Sequence, residues 1–165
     1  MKKDELEKEV NRLIESQRNA MLSTYAEVNS GVNSEKCRAA GFPFGSVVRY
    51  VIGRSDEYAG MPILMLSRIA EHSKHISQNH KVSLLISDQE THSDVQKTAR
   101  LTLLGSMIKL DADDPALQHD AERYFQEFPE ARDYFKLLDF DFYYLCVEQK
   151  RYVAGFGRAH WLKNT

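Results

Sequence analysis

The chain has 165 residues, 42% hydrophobic and 28% charged content and a formal net charge of −2, the profile of one soluble globular domain. So small a charge excludes a field that would draw the whole molecule onto nucleic acid or an anionic membrane, and no apolar run approaches the ~20 residues that span a bilayer. Residues 1–10 are charged and lack an apolar h-region, so no secretory signal and a cytoplasmic location are expected; Cys37 and Cys146 form no CxxC pair and fit free thiols.

Taken in order, Leu6, Val10, Leu13 and Ile14 recur at helical spacing and predict a helix over about residues 2–18. Its apolar stripe covers either the chain's own core or a partner subunit. Residues 19–27 read as a first strand and the polar residues 28–40 as a loop. Residues 41–87 are the densest stretch. They predict a strand over 46–53, a turn over 55–60 ending in Gly60, and a strand over 62–66. A short polar helix over about 69–78, with Ser67 as a possible N-cap, and a strand over 82–87 follow. Residues 88–98 are wholly polar and read as a mobile connection.

The next strand is expected over 100–110, where Gly105 predicts a bulge or a close backbone approach. Asp113 or Asp114 can cap a helix with Pro115 in its first turn, running to about Glu127. Phe128 and Pro129 break it, and a second short helix spans about 130–138. Residues 140–148 alternate and are aromatic, hence a strand; Gln149 and Lys150 are expected to turn it, residues 151–156 to pair back, and 157–165 to form a tail. No GxGxxG, P-loop or βαβ alternation occurs. The sum is a mainly β (α+β) domain: a six- to seven-stranded antiparallel barrel with peripheral helices, one domain over residues 1–165.

Several residues have chemical potential. His160 stands in GRAHWL beside the chain's only Trp; a neutral imidazole there is either a metal donor or a surface side chain of the tail. Arg100 opens a strand, where it can hold a carboxylate or phosphate with two N–H groups or make a surface ion pair. Ser67, Arg68, His72, Ser73 and Lys74 put hydroxyls and cations at a helix start, which suits a phosphate, or else a solvated helix face. His72, His75 and His80 lack an HExxH pattern and a nearby cysteine in sequence, so no zinc site is expected among them. The aromatic residues 140–144 have acidic flanks and fit a core or an interface better than a platform for bases.

Five segments carry a family resemblance: GFPFGSVVRY (41–50), LSRIAEHSKHI (66–76), KVSLLI (81–86), ARLTLLG (99–105) and AGFGRAHWL (154–162). In this order they resemble the split-barrel superfamily typified by pyridoxamine 5'-phosphate oxidase, and within it the HutZ/HugZ-type haem-degrading proteins. The resemblance implies a split β-barrel and a homodimer with haem at the subunit interface, His160 as proximal iron ligand and Arg100 at the haem pocket. One of Asp120, Glu122, Asp133 or Asp139 would support His160. The reaction implied is oxidative opening of the porphyrin with an external electron donor; haem storage or delivery without turnover would use the same ligand. The alternative is an FMN-binding oxidoreductase, with the phosphate held by Ser67, Arg68, Ser73 and Lys74 and with Ser46 and His72 beside it. Against the oxidase pattern, Glu71 and His72 stand where those enzymes carry Arg-Lys, and Ser46 stands where they use Arg. The stripe Leu6, Val10, Leu13, Ile14 and the aromatics of 140–144 are the expected dimer surfaces.

Overall fold

Tyr50 separates two strands that follow one another in the chain and yet end on opposite sides of the sheet. The computed structural model describes residues 3–28, 37–88, 94–137, 139–155 and 157–163. The elements are α1 (Lys3–Ser16), β1 (Asn19–Thr24), β2 (Phe44–Arg49), β3 (Val51–Ile52), β4 (Pro62–Ser67), α2 (Glu71–Gln78), β5 (Lys81–Ser87), β6 (Arg100–Lys109), α3 (Pro115–Glu127), α4 (Ala131–Leu137), β7 (Phe140–Val153) and β8 (Ala159–Lys163). All pairings are antiparallel, in the order β2-β1-β5-β6-β7-β4-β3, with β8 added on β7. Because β2 and β3 are the two ends of that path and only Tyr50 lies between them, the sheet has to curl on itself. The result is a split β-barrel with peripheral helices.

The inner face of the curl is filled by alternating residues such as Leu22, Leu84, Leu101, Leu103 and Leu145, each buried. Leu6, Val10, Leu13 and Ile14 of α1 belong to the same cluster, so the apolar stripe covers the chain's own barrel. A second cluster joins α3 and α4 to the far side of β4 and β7 through Ile63, Leu117, Tyr124, Phe125, Phe128 and Phe142. Strand β4 lies between the clusters: Leu64 and Leu66 enter the first, Ile63 the second, with Met65 packed against it. Burial on both faces is why its sequence reads as a continuous apolar run.

Local signals explain the start of α3 and the break in the β6–β7 register. Asp114 caps α3 by accepting from the Ala116 N–H at 2.9 Å, with Pro115 in the first turn. At Gly105 the β6–β7 register shifts: Leu104 faces Gln149, Gly105 faces Val147, and Glu148 is the extra residue of a bulge. A Cβ on Gly105 would lie 2.1 Å from the Cys146 carbonyl oxygen, so the bulge and the close approach occur together.

Three expectations are corrected. Gln149 and Lys150 do not turn the chain; β7 runs through them because the bulge keeps its ladder with β6, and residues 159–163 make the return strand. Ser67 ends β4 instead of capping a helix. The α2 N-cap is Ala70, with no side-chain cap bond, and the helix starts at Glu71. The strand expected over 46–53 is two strands, interrupted at Tyr50. The middle of the expected loop (29–36), part of the 88–98 connection (89–93), and residues 138 and 156 lie outside the described residues.

Tyr50 is fully buried, and its hydroxyl donates to the Ile14 carbonyl at 2.8 Å, one of the α1 C-terminal carbonyls that the helix itself leaves unpaired. Tyr50→Phe keeps the ring and removes that donor, so chemical denaturation should show a loss of about 1–2 kcal/mol. Tyr25→Phe, at a partly exposed ring, should change stability little. An unchanged midpoint for Tyr50→Phe would contradict this role.

Candidate functional site

The crossover helix α2 packs against β1 and β2 and brings part of the predicted phosphate group together. The His72 Nδ1 lies 3.1 Å from the Ser46 hydroxyl. A groove of about 330 Å³ between β2, β4 and α4 is lined by Val47, Met65, Ser67, His72, Tyr134 and Phe140, among others. Ser46, Ser67 and His72 therefore share one neighbourhood.

The other members face elsewhere. Arg68 holds Asp141 through two N–H groups, at 2.9 and 3.0 Å, and lies 3.5 Å from Asp139. Lys109 also pairs with Asp141 at 2.8 Å; burial raises the Asp141 carboxyl, but Arg68 and Lys109 together hold it below the usual range. Lys74 pairs with Glu71 and keeps that carboxyl low against the opposing pull of burial. Ser73 is buried. The cations expected at a phosphate are thus each neutralised by an acid.

The C-terminal motif is placed at the other end of the sheet. His160 lies on the edge strand β8 opposite Tyr152, which in turn faces Leu101. Directly paired residues in antiparallel strands project to the same side. Leu101 and Tyr152 are buried, so His160 belongs to the inner-facing row, and it is half-buried. Arg100 pairs with Val153 and so with Ala159, the row that faces outward. In one chain Arg100 and His160 therefore lie on opposite faces of the sheet, two strands or roughly 10 Å apart. Ser67 faces Phe140 on β7 while His160 faces Tyr152, twelve residues further along, roughly 40 Å of extended strand. The α2 group and His160 are two separate places in one chain.

Three of the four carboxylates offered as support for His160 are occupied on the helical side, and Asp133 is exposed on α4. Asp120 is fully buried and accepts from the Arg54 N–H at 2.8 Å and the Ser55 hydroxyl at 2.7 Å. Glu122 accepts from Arg132 at 2.8 Å, and Asp139 lies by Arg68.

The outward face carries a row that crosses six strands: Val47, Met21, Leu85, Thr102, Arg151, Trp161. Val47 and Trp161 at its ends are 74% and 60% exposed, and the Arg151 guanidinium stacks on the Trp161 ring at 5.0 Å. The row has exposed apolar residues in Val47, Met21 and Trp161 and a partly exposed, mixed middle, whereas the surfaces expected from the sequence are largely committed to the chain's own cores: the α1 stripe and Phe142 and Tyr143 are all buried.

Sequence reasoning weighed His75 only as a partner of His72 and His80 and expected no metal site there. His75 is fully buried, its ring edge meets Phe44, and its Nδ1 lies 3.1 Å from the Thr24 hydroxyl. The signal available was its i, i+4 spacing from Glu71, which puts both on one helix face.

Burial pushes the His72 imidazole below the ordinary histidine value of 6.5, and the neighbouring His75 adds to the effect. The folded chain then protonates His72 later than the unfolded chain does. The stability this contributes is complete above about pH 6.5 and is lost as pH falls from there through the lower folded value. In denaturation series between pH 7 and pH 5, His72→Gln should lose less stability on acidification than the parent; equal losses would contradict the assignment.

Residues 6–165 match the family described as CREG, beta-barrel. The chain is 32% identical over 152 residues to the non-canonical heme oxygenase HOZ, chloroplastic, of Arabidopsis thaliana, covering 85% of this chain and 43% of that protein; it thus spans less than half of that relative. Among solved structures, a heme binding protein from Mycobacterium smegmatis superposes with a TM-score of 0.72 at 26% identity, over 94% of this chain and 56% of that one. HutZ, the heme storage protein from Vibrio cholerae, has a TM-score of 0.67 at 21% identity, over 87% and 90%, a likeness of fold. Among the described residues no helix is long and apolar enough to cross a membrane. With the eight-strand curled sheet and a family match over nearly its whole length, this chain belongs to the CREG β-barrel family.

Proposed function

We propose that this chain binds haem through His160 as a homodimer and degrades it oxidatively, with haem as substrate, dioxygen as the oxidant that supplies the inserted oxygen, iron and an open-chain tetrapyrrole as products, and an external electron donor. The observation that carries the reading is the placement of His160. The C-terminal motif folds as an edge strand, so its imidazole is positioned by a backbone ladder rather than carried on a free tail. An edge position leaves room for a planar ligand beside the sheet, and a neutral imidazole is a strong donor to iron.

The relatives support the same chemistry. One is named as a heme oxygenase and another as a heme binding protein. A storage role, as in the name of the HutZ structure, would use the same ligand without turnover. Charge balance favours haem over flavin: Arg68 and Lys74, the cations that would meet an FMN phosphate, are engaged by Asp141 and Glu71.

The opposite facing of Arg100 and His160 bears on assembly. In this reading a second chain pairs on the outward row from Val47 to Trp161, and the haem lies where that interface ends at the open β8 edge, reached by His160 round the edge from one chain and by Arg100 from the outward face of the other. His160 supplies the axial ligand, Arg100 a cation and hydrogen-bond donor on the opposite side of the porphyrin, and the pairing excludes water. A polypeptide with these groups in place of bulk water holds one ring edge in a fixed orientation, as regioselective attack requires.

Titration with hemin tests the ligand. The parent should give an intense Soret band with imidazole-ligated features. His160→Ala should keep most of the binding but change the spectrum toward a water-bound form, and added imidazole should restore it in part. With ascorbate, the parent's Soret band should fade as the ring opens, and His160→Ala should slow this by at least ~10-fold. A Soret band that persists under ascorbate would assign storage. If His160→Ala keeps the parent spectrum while His72→Ala loses it, the ligand is on α2.

Sedimentation equilibrium tests the assembly. The parent should run at twice 19.0 kDa, and Met21→Glu combined with Val47→Glu, which sets like charges on the outward row, should return it to the single-chain mass. A parent found only as a 19.0 kDa species would rule the dimer out.

A further inference from the structure

We propose that Cys37, Glu71 and His75 form a binding site for a divalent cation of the zinc class, at the joint between the turn after residue 36 and helix α2. The Cys37 sulfur, a Glu71 carboxylate oxygen and a ring nitrogen of His75 lie within 4.8 Å of one another. Thiolate, imidazole and carboxylate are the donor types that zinc selects, and three protein donors leave a fourth position for water. In a tetrahedral zinc site such donors sit about 3.3–3.6 Å apart, so the group has to draw in by at most about 1.5 Å. Rotation of the Cys37 and Glu71 side chains supplies a movement of that size.

The second observation is independent of this convergence. His75 is fully buried, and its Nε2 has no hydrogen-bond partner among the described residues. In this proposal the Thr24 hydroxyl donates to the Phe44 carbonyl, 3.5 Å away, and accepts from His75 Nδ1 at 3.1 Å. Nδ1 then carries the ring proton and Nε2 carries a bare lone pair. A buried lone pair without a donor is costly, and a cation satisfies it. A hydrogen bond on the second ring nitrogen that fixes tautomer and orientation is also how a ligating histidine is supported; here a threonine hydroxyl takes that place.

Glu71 is prepared in the same way. Lys74 sits on its Oε1 and keeps the carboxylate charged, Oε2 takes a long contact, 3.5 Å, from the Ala39 N–H, and the Arg38 N–H and the Cys37 thiol also hydrogen-bond to the carboxylate. Oε2 is the exchangeable oxygen. Cys37 is 5% exposed, so the ion is shielded, and its thiol proton passes to solvent when the metal arrives. None of the three donors belongs to the groove of His72 or to the His160 strand, so the site stands apart from the haem reading.

Cobalt(II) is the probe, added to the haem-free protein. One cobalt per chain should bind, with a thiolate-to-cobalt charge-transfer band in the near ultraviolet that zinc abolishes. Cys146→Ser should keep the band and Cys37→Ser should lose it. Glu71→Gln, at a partly exposed position that does not threaten folding, should weaken binding at least ~10-fold. No band in the parent at excess cobalt, a band that survives Cys37→Ser, or unaltered affinity in Glu71→Gln would each overturn the proposal; the last measurement decides if Cys37→Ser fails to fold.

Discussion

Closure of the sheet through Tyr50 is the constraint on which the rest depends. β2 and β3 occupy the two ends of a seven-strand path and are separated by one residue, so the chain cannot form both ladders without bending the whole sheet round. Tyr50 is where that bend is held. Its N–H donates to the Arg18 carbonyl at 3.0 Å and its hydroxyl to the Ile14 carbonyl at 2.8 Å. One residue thereby ties the curl to the end of α1, and α1 fills the space the curl encloses. The bulge at Gly105 serves the same end, because an extra residue on β7 sharpens the local twist where a long strand must follow a curved surface.

The curl also decides where chemistry can sit. Among the described residues, leucines and α1 fill the interior of the barrel, and the side chains with chemical potential stand at the ends and the edge. α2 crosses one end and collects Ser46, His72, Thr24 and His75. β8 adds an edge at the far end of β7 and carries His160. The separation of these places along one strand and the opposite facing of Arg100 are the features from which the proposed sharing of haem between chains starts.

Much of this was legible in the sequence, wherever the signal was local. Asp114 and Pro115 announced a helix start because capping needs only neighbouring residues, and Gly105 announced a backbone approach that no side chain tolerates. Gln149 and Lys150 misled because a polar pair between alternating segments resembles a turn; the deciding fact, the register with β6, is not local. The same holds for the stripe of α1, which could be recognised as apolar but not assigned to its own barrel. Cys37 illustrates the limit: it is thirty-four residues from Glu71, and only the fold brings it there. His160 was picked out by its motif, yet its strand, its facing and its distance from α2 are properties of the sheet.

The central claim, that His160 on β8 ligates haem, is tested most directly by a crystal structure of the hemin complex. The account predicts the His160 imidazole bonded to iron and the porphyrin lying between two chains, with Arg100 of the second on its other side. Iron bonded instead to His72 or His75 of α2, or a porphyrin bound within a single chain and away from β8, would contradict it.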